Sequence, residues 1–438
     1  MEELNFFAKK LSSKVDEYEI VRKKIDKISL TVKKGKIEDL KESKEVLYTL
    51  RIVKNKKTGL TYFTSVQDID NILNNVVALS EISDRDEFNT FYNNEFEENK
   101  IELSNKEIDE ITLEHMKDFS LLLEECSYKR DKRISNVKDA GFFKGKTVVS
   151  YFNSNNIAKE YATDYCGASV VVVAKDNGNS MMGYEYVVSK RFDFNSEKVA
   201  ETAVNKAVRM LNAKKSGTYK FPVIIENELA GDILSILAPS FFIENLRKNK
   251  SMLSNIKDKK IASDNFVLVD DGINPEFVGS ALFDDEGTPT NKKYLIKNGM
   301  LNEFLYNYYY AKKEGKNFAG NGFLPSFKAS PSITYTNLIL SPGDTDFNDF
   351  IRSLQRGILL TNLMGLHTAD PVSGDFSLGG EGILIENGNF SKPVKEFVIS
   401  GNIIDILKNC RIIFNDLKVN GRIISPSILV EGLKIVGN

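Results

Sequence analysis

Apolar positions recur with two different periods along this chain. From 18 to 64 the period is two: Ile28, Leu30 and Val32 alternate with polar neighbours, which predicts strands over 18–24, 27–33, 45–53 and 59–64. The connections Lys34-Gly35-Lys36 and Asn55-Lys56-Lys57-Thr58-Gly59 are short, so the strands should form an antiparallel meander. Ahead of it, Leu4, Phe7, Ala8 and Leu11 share one side of a helix over 2–13. The helical period returns at 66–79 (Ile69, Ile72, Leu73, Val76) and at 105–127, where Ile108, Ile111, His115, Phe119, Leu122 and Cys126 form a stripe.

Strands resume over 146–152, 166–175 and 184–190, separated by Asn- and Gly-rich turns. Ser196 then reads as the N-cap of a helix carrying Val199, Ala200, Ala203, Val204, Ala207, Val208 and Leu211. The stretch 212–218, rich in Lys, Ser and Gly, divides the chain into domains 1–215 and 216–438. Beyond it come a strand over 219–225 and apolar helical stretches to about 256. Short strands follow over 265–269, 294–297, 301–305, 332–340, 382–386, 397–400 and 427–436, with helices over 346–355 and 402–409. The expected fold is α+β with two domains. The first is an N-terminal helix plus antiparallel β-meander with helices; the second is strand-dominated, barrel-like or sandwich-like, with helices.

Charge narrows the choice of partners. The chain has 59 Lys plus Arg and 61 Asp plus Glu, a net charge of −2, so it lacks the field that draws nucleic acid or an anionic membrane. The first 60 residues hold 16 basic and 10 acidic side chains, but both signs alternate with apolar residues, as on a solvated sheet face. Apolar runs such as 168–174 are strand-sized, and the first ten residues contain no secretory h-region. Cys126, Cys166 and Cys410 are far apart, as reduced thiols of a cytoplasmic protein would be.

Candidate chemistry is sparse. Only His115 and His367 are present, which excludes any mechanism needing several imidazoles. A lone His on an apolar stripe, as His115 is, reads as packed or half exposed rather than as a ligand. No P-loop, G-x-S-x-G elbow or H-E-x-x-H helix occurs. Acidic groups at Asp270-Asp271, Asp284-Asp285-Glu286, Asp370 and Asp375 read mainly as caps of turns. Gly379-Gly380-Glu381-Gly382 reads as a bend before a strand, where another backbone can approach closely. The segment 365–388 is dense in turn residues and closes on the hairpin signal Asn387-Gly388, which Asn298-Gly299 echoes. A long polar loop on a sheet is a common place for ligand-binding residues.

Several of these segments, in this order, resemble the TldD/PmbA family, and within it the PmbA (TldE-type) branch. They are Asp284-Asp-Glu-Gly-Thr-Pro289, Leu295-Ile-Lys-Asn-Gly299, Pro371-Val-Ser-Gly-Asp-Phe-Ser377, Gly382-Ile-Leu-Ile-Glu-Asn-Gly388, Gly401-Asn402 and Ser425-Pro-Ser-Ile-Leu-Val-Glu-Gly-Leu433. The resemblance covers nearly the whole chain. It implies a zinc metalloprotease assembly whose TldD subunit carries H-E-x-x-x-H on a helix and a Cys near the C-terminus. That subunit pairs with a PmbA-type one and trims or degrades unfolded peptides; the family was first described as a modulator of DNA gyrase. In this chain the corresponding helix reads Glu226-Asn-Glu-Leu-Ala-Gly-Asp232 and the corresponding C-terminal region, 416–422, has no Cys. Glu226, Glu228 and Asp232 are therefore a degenerate form of the metal motif, lacking the imidazoles zinc prefers. The expectation is a non-catalytic subunit without a cofactor of its own, zinc residing in a TldD-type partner. His367, Asp375, Gly379, Gly380 and Glu381 would line the peptide groove, facing the cavity from a loop over 366–381. The alternatives are a homodimeric peptide- or gyrase-binding adaptor without a hydrolytic role, and an atypical metal site on Glu228 and Asp232.

Overall fold

The computed structural model describes residues 10–94, 101–254, 256 and 259–437. Of the helix expected over 2–13, only its end at Lys10 and Leu11 lies within the described residues. Six long strands form the first sheet: β1 (Glu17–Lys33), β2 (Lys36–Lys54), β3 (Lys57–Phe63), β4 (Ile134–Asn153), β5 (Ala158–Asp176) and β6 (Asn179–Ser189). Their order is β3-β2-β1-β4-β5-β6 and every pairing is antiparallel. The expected strands 18–24 and 27–33 are one continuous strand, because the largely polar stretch Lys23–Lys27 stays in register with β2 and β4.

Burial explains how the ends of this sheet are used. Tyr18, Glu19, Ile20, Val21 and Arg22 are all buried, so both faces are covered there. Ile20, Leu50 and Ile52 pack on Leu73 and Val76 of helix Ile69–Glu81. On the opposite face Val21, Val149 and Tyr151 pack on Phe283, from the second half of the chain. At the other end of the sheet, Leu30 and Val32 share a core with helices Leu113–Arg130 and Ser196–Arg209.

Two helical expectations shift. The stripe over 105–127 breaks into Lys106–Glu110 and Leu113–Arg130, since Thr112 N-caps the second helix through the His115 amide. The new start resets the phase: Met116, Leu123 and Ser127 turn inward while His115 and Leu122 are exposed. His115 completes a capping box, its Nδ1 accepting from Thr112 N at 3.3 Å. The cap of helix Ser196–Arg209 is Asn195, one residue before the expected Ser196.

Among the described residues the second half holds two larger sheets that share one core and a two-stranded pairing of Gly322–Phe323 with Ser332–Ile333. In the larger, the strands run Cys410–Ile413, Ile428–Val430, Val223–Ile225, Arg356–Met364, Asp375–Glu386, Asn389–Asn402 and Lys434–Gly437, with Lys214–Lys215 pairing Asn389–Asn402. The other sheet has six strands, with Leu268–Asp271 paired to Lys292–Lys297 and to Leu338–Leu340. Helix Asn227–Leu237 contributes Leu229, Ile233 and Leu237 to that core, beside Val223 and Ile358 of one sheet and Leu268 and Leu338 of the other. The architecture is α+β with a strand-rich second half. Among the described residues no helix is long and apolar enough to cross a membrane.

The stretch 379–382 departs from its reading. It lies inside strand Asp375–Glu386 rather than before it. Glycine is needed because a Cβ on Gly380 would meet the Phe397 ring at 2.3 Å and one on Gly382 the Leu359 carbonyl at 2.5 Å. The loop expected over 366–381 thus shrinks to the residues before Asp375, including a 3-10 turn Leu366–Thr368.

Candidate functional site

Helix Asn227–Leu237 follows strand Val223–Ile225 directly, and the Glu226 amide donates to Leu360 O at 3.1 Å. This fixes the helix start against the sheet and aims the first-turn carboxylates at the first half of the chain. There each one meets a cation. Arg209 grips Glu226 with two parallel bonds, both 2.6 Å. Lys206 Nζ donates to both oxygens of Glu228 at 2.6 and 2.7 Å and to Glu185 Oε2 of β6 at 2.8 Å. Lys418, on strand Lys418–Asn420, bonds Glu185 and stands 3.5 Å from Glu228.

The electrostatics are closed. Burial pushes the Glu228 carboxyl up, but Lys206 and then Lys418 outweigh it and hold it below the ordinary carboxylate value. Burial pulls Lys206 down, yet Glu185 and Glu228 keep it above the usual lysine value. Asp232 lies one turn on from Glu228 and is raised, by the desolvation of its carboxyl and then by the Glu228 charge. Asp416 is raised by burial and accepts from Ser427 N at 2.9 Å and Ser427 Oγ at 2.6 Å; Asn227 donates to its backbone oxygen at 2.9 Å. This donor set does not fit zinc: the carboxylates are spent on ammonium and guanidinium groups, and the helix offers no imidazole or thiolate. Cys410 is fully buried, with its thiol pushed up to about 12 by burial.

Of the expected groove residues, Asp375, Gly379 and Glu381 share one sheet face without converging on a point. Asp375 Oδ1 accepts from Asn402 Nδ2 at 2.8 Å, and Glu381 Oε2 from Asn362 Nδ2 at 3.3 Å. Six residues of strand separate them, about 20 Å. Between them Gly379 lies opposite Met364 on one side and Val398 on the other, and Val398 opposite Val436. Met364, Val398 and Val436 are exposed, giving this face an apolar row across the strands. Gly380 points inward under Phe397 and does not join that face. His367 is exposed on the 3-10 turn Leu366–Thr368, which packs against helix Asn227–Leu237.

The acidic turn 284–286 ties the two halves of the chain together. Asp284 caps its own turn, accepting from Glu286 N at 3.0 Å, Thr288 N at 2.9 Å and Gly322 N at 2.8 Å. Asp285 Oδ2 takes Lys23 Nζ of β1 at 2.7 Å, and Glu286 takes Arg51 of β2 at 3.3 Å. Arg51 also bonds Glu19, whose other oxygen receives Tyr151 Oη at 2.9 Å. Burial pushes Glu19 up to about 7 despite Arg51, and Asp284 up to about 8. Asp270 accepts from Thr336 N at 2.6 Å and Asn321 Nδ2 at 2.7 Å, while Asp370 accepts from Val372 N at 2.7 Å. The cations Lys206, Arg209, Lys418, Lys23 and Arg51 carry no motif, so local reading passes over them; their partners lie between 17 and 262 residues away.

Comparison with known proteins agrees with this architecture. Residues 18–80, 106–211 and 216–437 match, in turn, domain 1, the central domain and the C-terminal domain of the PmbA/TldA metallopeptidases. A metalloprotease PmbA homolog of Buchnera aphidicola is 26% identical over 440 residues, covering 98% of this chain and 95% of that protein. A solved Thermotoga maritima protein, described as a modulator of a DNA gyrase, superposes with a TM-score of 0.89 at 25% identity, over 99% of both chains. TldE from Thermococcus kodakarensis has the same fold, with a TM-score of 0.91 at 23% identity over the whole of both chains. With all three family domains matched in order and the fold shared from end to end, the chain belongs to the PmbA/TldA metallopeptidase family.

Proposed function

We propose that this chain is the non-catalytic subunit of a heteromeric metallopeptidase acting on unfolded peptides. Zinc and the water it activates belong to a TldD-type partner. The observation that carries the reading is the ion-pair set on helix Asn227–Leu237. Glu226 is held by Arg209, and Glu228 by Lys206 with Lys418 close by, where the family resemblance leads one to expect metal ligands. A cation bound there would first have to displace these side chains from partly buried bonds.

The chain's share in the reaction is to hold peptide. The outward face of strands Arg356–Met364, Asp375–Glu386 and Asn389–Asn402 offers polar ends, Asp375 and Glu381, either side of the exposed apolar row. His367 sits at its rim beside the helix. An extended peptide laid on such a face gains apolar contact at alternate side chains and hydrogen bonds at the ends. The test is zinc content and hydrolysis of an unfolded peptide by the purified chain, alone and mixed with its cognate TldD-type chain. A metal-free, inert chain and an active mixture are expected. Stoichiometric zinc and hydrolysis by the lone chain would overturn the reading. In the mixture, Asp375→Ala should lower turnover several-fold without dissociating the complex; unchanged turnover removes the groove assignment.

A further inference from the structure

Beside the 284–289 turn, between the two halves of the chain, lies a cavity of about 330 Å³. Tyr92 from the first half and Tyr308 from the second meet edge to face in its wall, ring centroids 5.6 Å apart and planes at 80°. Both rings are buried. Phe318, edge to face with Tyr306 at 5.8 Å, completes the apolar wall and is 40% exposed.

The charge of the cavity is one-sided. Lys312 and Lys316 line it, and none of the described residues lining it is acidic. This is a departure for a chain in which acidic side chains outnumber basic ones. Lys312 Nζ stands 5.8 Å from the Tyr308 ring centroid and Lys316 Nζ 6.0 Å from that of Phe318. Among the described residues neither lysine forms an ion pair. Thr288 also lines the cavity, and its buried Oγ1 makes no well-formed hydrogen bond. The nearby Asp284 carboxyl is turned into its own turn and holds its proton through neutral pH, so it adds little negative field.

We propose that this interdomain cavity binds a small aromatic carboxylate. Its ring lies against Tyr92, Tyr308 and Phe318, and its carboxylate on Lys312 and Lys316. Edge-to-face ring contact and charge-assisted hydrogen bonds are the two favourable contributions, and both lysines line the cavity that the rings wall. The shared chemistry has two sources: a free aromatic acid, or the C-terminal residue of a peptide. The second source rests on the peptide-handling reading above.

Calorimetry on the full chain separates these cases. The probes are N-acetylphenylalanine, its uncharged amide, and the tripeptide Gly-Gly-Phe. The proteins are the parent chain, the Lys312→Ala/Lys316→Ala variant, and Lys392→Ala as an exposed-lysine control on another strand. Saturable binding of N-acetylphenylalanine is expected, weaker by about tenfold or more for the amide and for the double variant, and unchanged for the control. Equal binding of acid and amide, full affinity in the double variant, or no saturation below about 10 mM would each overturn the proposal. Binding of the tripeptide as well assigns the site to peptide C-termini; binding of N-acetylphenylalanine alone assigns it to a free acid. Neither result depends on hydrolysis, so the site and the peptidase reading can fail separately.

Discussion

Arg51→Met removes one cation from a buried group of acids and keeps the length of the side chain. Glu19 and Glu286 have side chains only 2% and 4% exposed, and Arg51 is 17% exposed between them. Breaking a buried pair from one side costs about 3–5 kcal/mol, because the remaining charge has neither water nor a partner. Much of that cost is proton uptake. Glu19 already sits at about 7 against an ordinary 4.5, by burial, with Arg51 pulling it down; Glu286 is raised by burial and lowered by Arg51 in the same way. Without Arg51 both carboxyls rise further.

A carboxyl whose pKa is higher folded than unfolded binds its proton more tightly when folded. Folding is then favoured at low pH, and this stability is lost as pH climbs from about 4.5 towards the folded value. The parent's Glu19, at about 7, already regains much of this stability when pH falls from 7 to 5, so only the further rise caused by losing Arg51 separates variant from parent. At about 2–4 °C per kcal/mol, the variant should melt roughly 6–20 °C below the parent at pH 7 and somewhat less far below it at pH 5. Differential scanning calorimetry at the two pH values, following the transition that releases the first sheet, reads both. A deficit larger at pH 5 than at pH 7, or under about 2 °C at pH 7, would refute the account of the buried acids.

Three further outcomes follow from the geometry. Gly287 has φ +75 and a Cβ there would meet the Tyr151 ring at 2.4 Å, so Gly287→Ala should lose roughly 2–4 kcal/mol in urea titrations. Lys206→Met leaves Glu228 with Lys418 alone and should cost about 1–3 kcal/mol, read as an earlier urea midpoint with unchanged slope. Cys126 is partly exposed whereas Cys166 and Cys410 are buried with thiols pushed up to about 12, so a thiol reagent at pH 8 should modify one cysteine in the native chain and three after unfolding.

The local features of the fold were legible where the chain marks them with backbone chemistry. Lys34-Gly35, Asn298-Gly299 and Asn387-Gly388 all have positive φ at both positions, as two-residue hairpin turns require. Alternation at Ile28, Leu30 and Val32 gave strands correctly placed but cut short, since a polar run inside a long paired strand has no signature of its own. Helix phase was misread at 105–127 because the break at Thr112 depends on a cap, and continuing the stripe through it turned His115 the wrong way. The clustered glycines looked like a bend because the Phe397 ring that demands Gly380 comes from the neighbouring strand. For the site, the carboxylates of helix Asn227–Leu237 were visible in the sequence. Their ion-pair partners Lys206, Arg209 and Lys418 were not, being ordinary cations on ordinary elements until folding places them.

The first sheet consists of two hairpin systems, β1-β2-β3 and β4-β5-β6, joined along one seam where β1 meets a strand more than a hundred residues later. Neighbouring strands within each system can find one another quickly, whereas the seam must wait for a long loop to close. At one end of that seam Glu19 lies opposite Arg51 on one side and Asn153 on the other, with Tyr151 of β4 bonded to it. A slip of one residue would turn Glu19 towards Leu73 and Val76 and strand its carboxylate in oil. The buried polar group therefore acts as a key for alignment: it penalises every wrong register of the slowest pairing in the sheet.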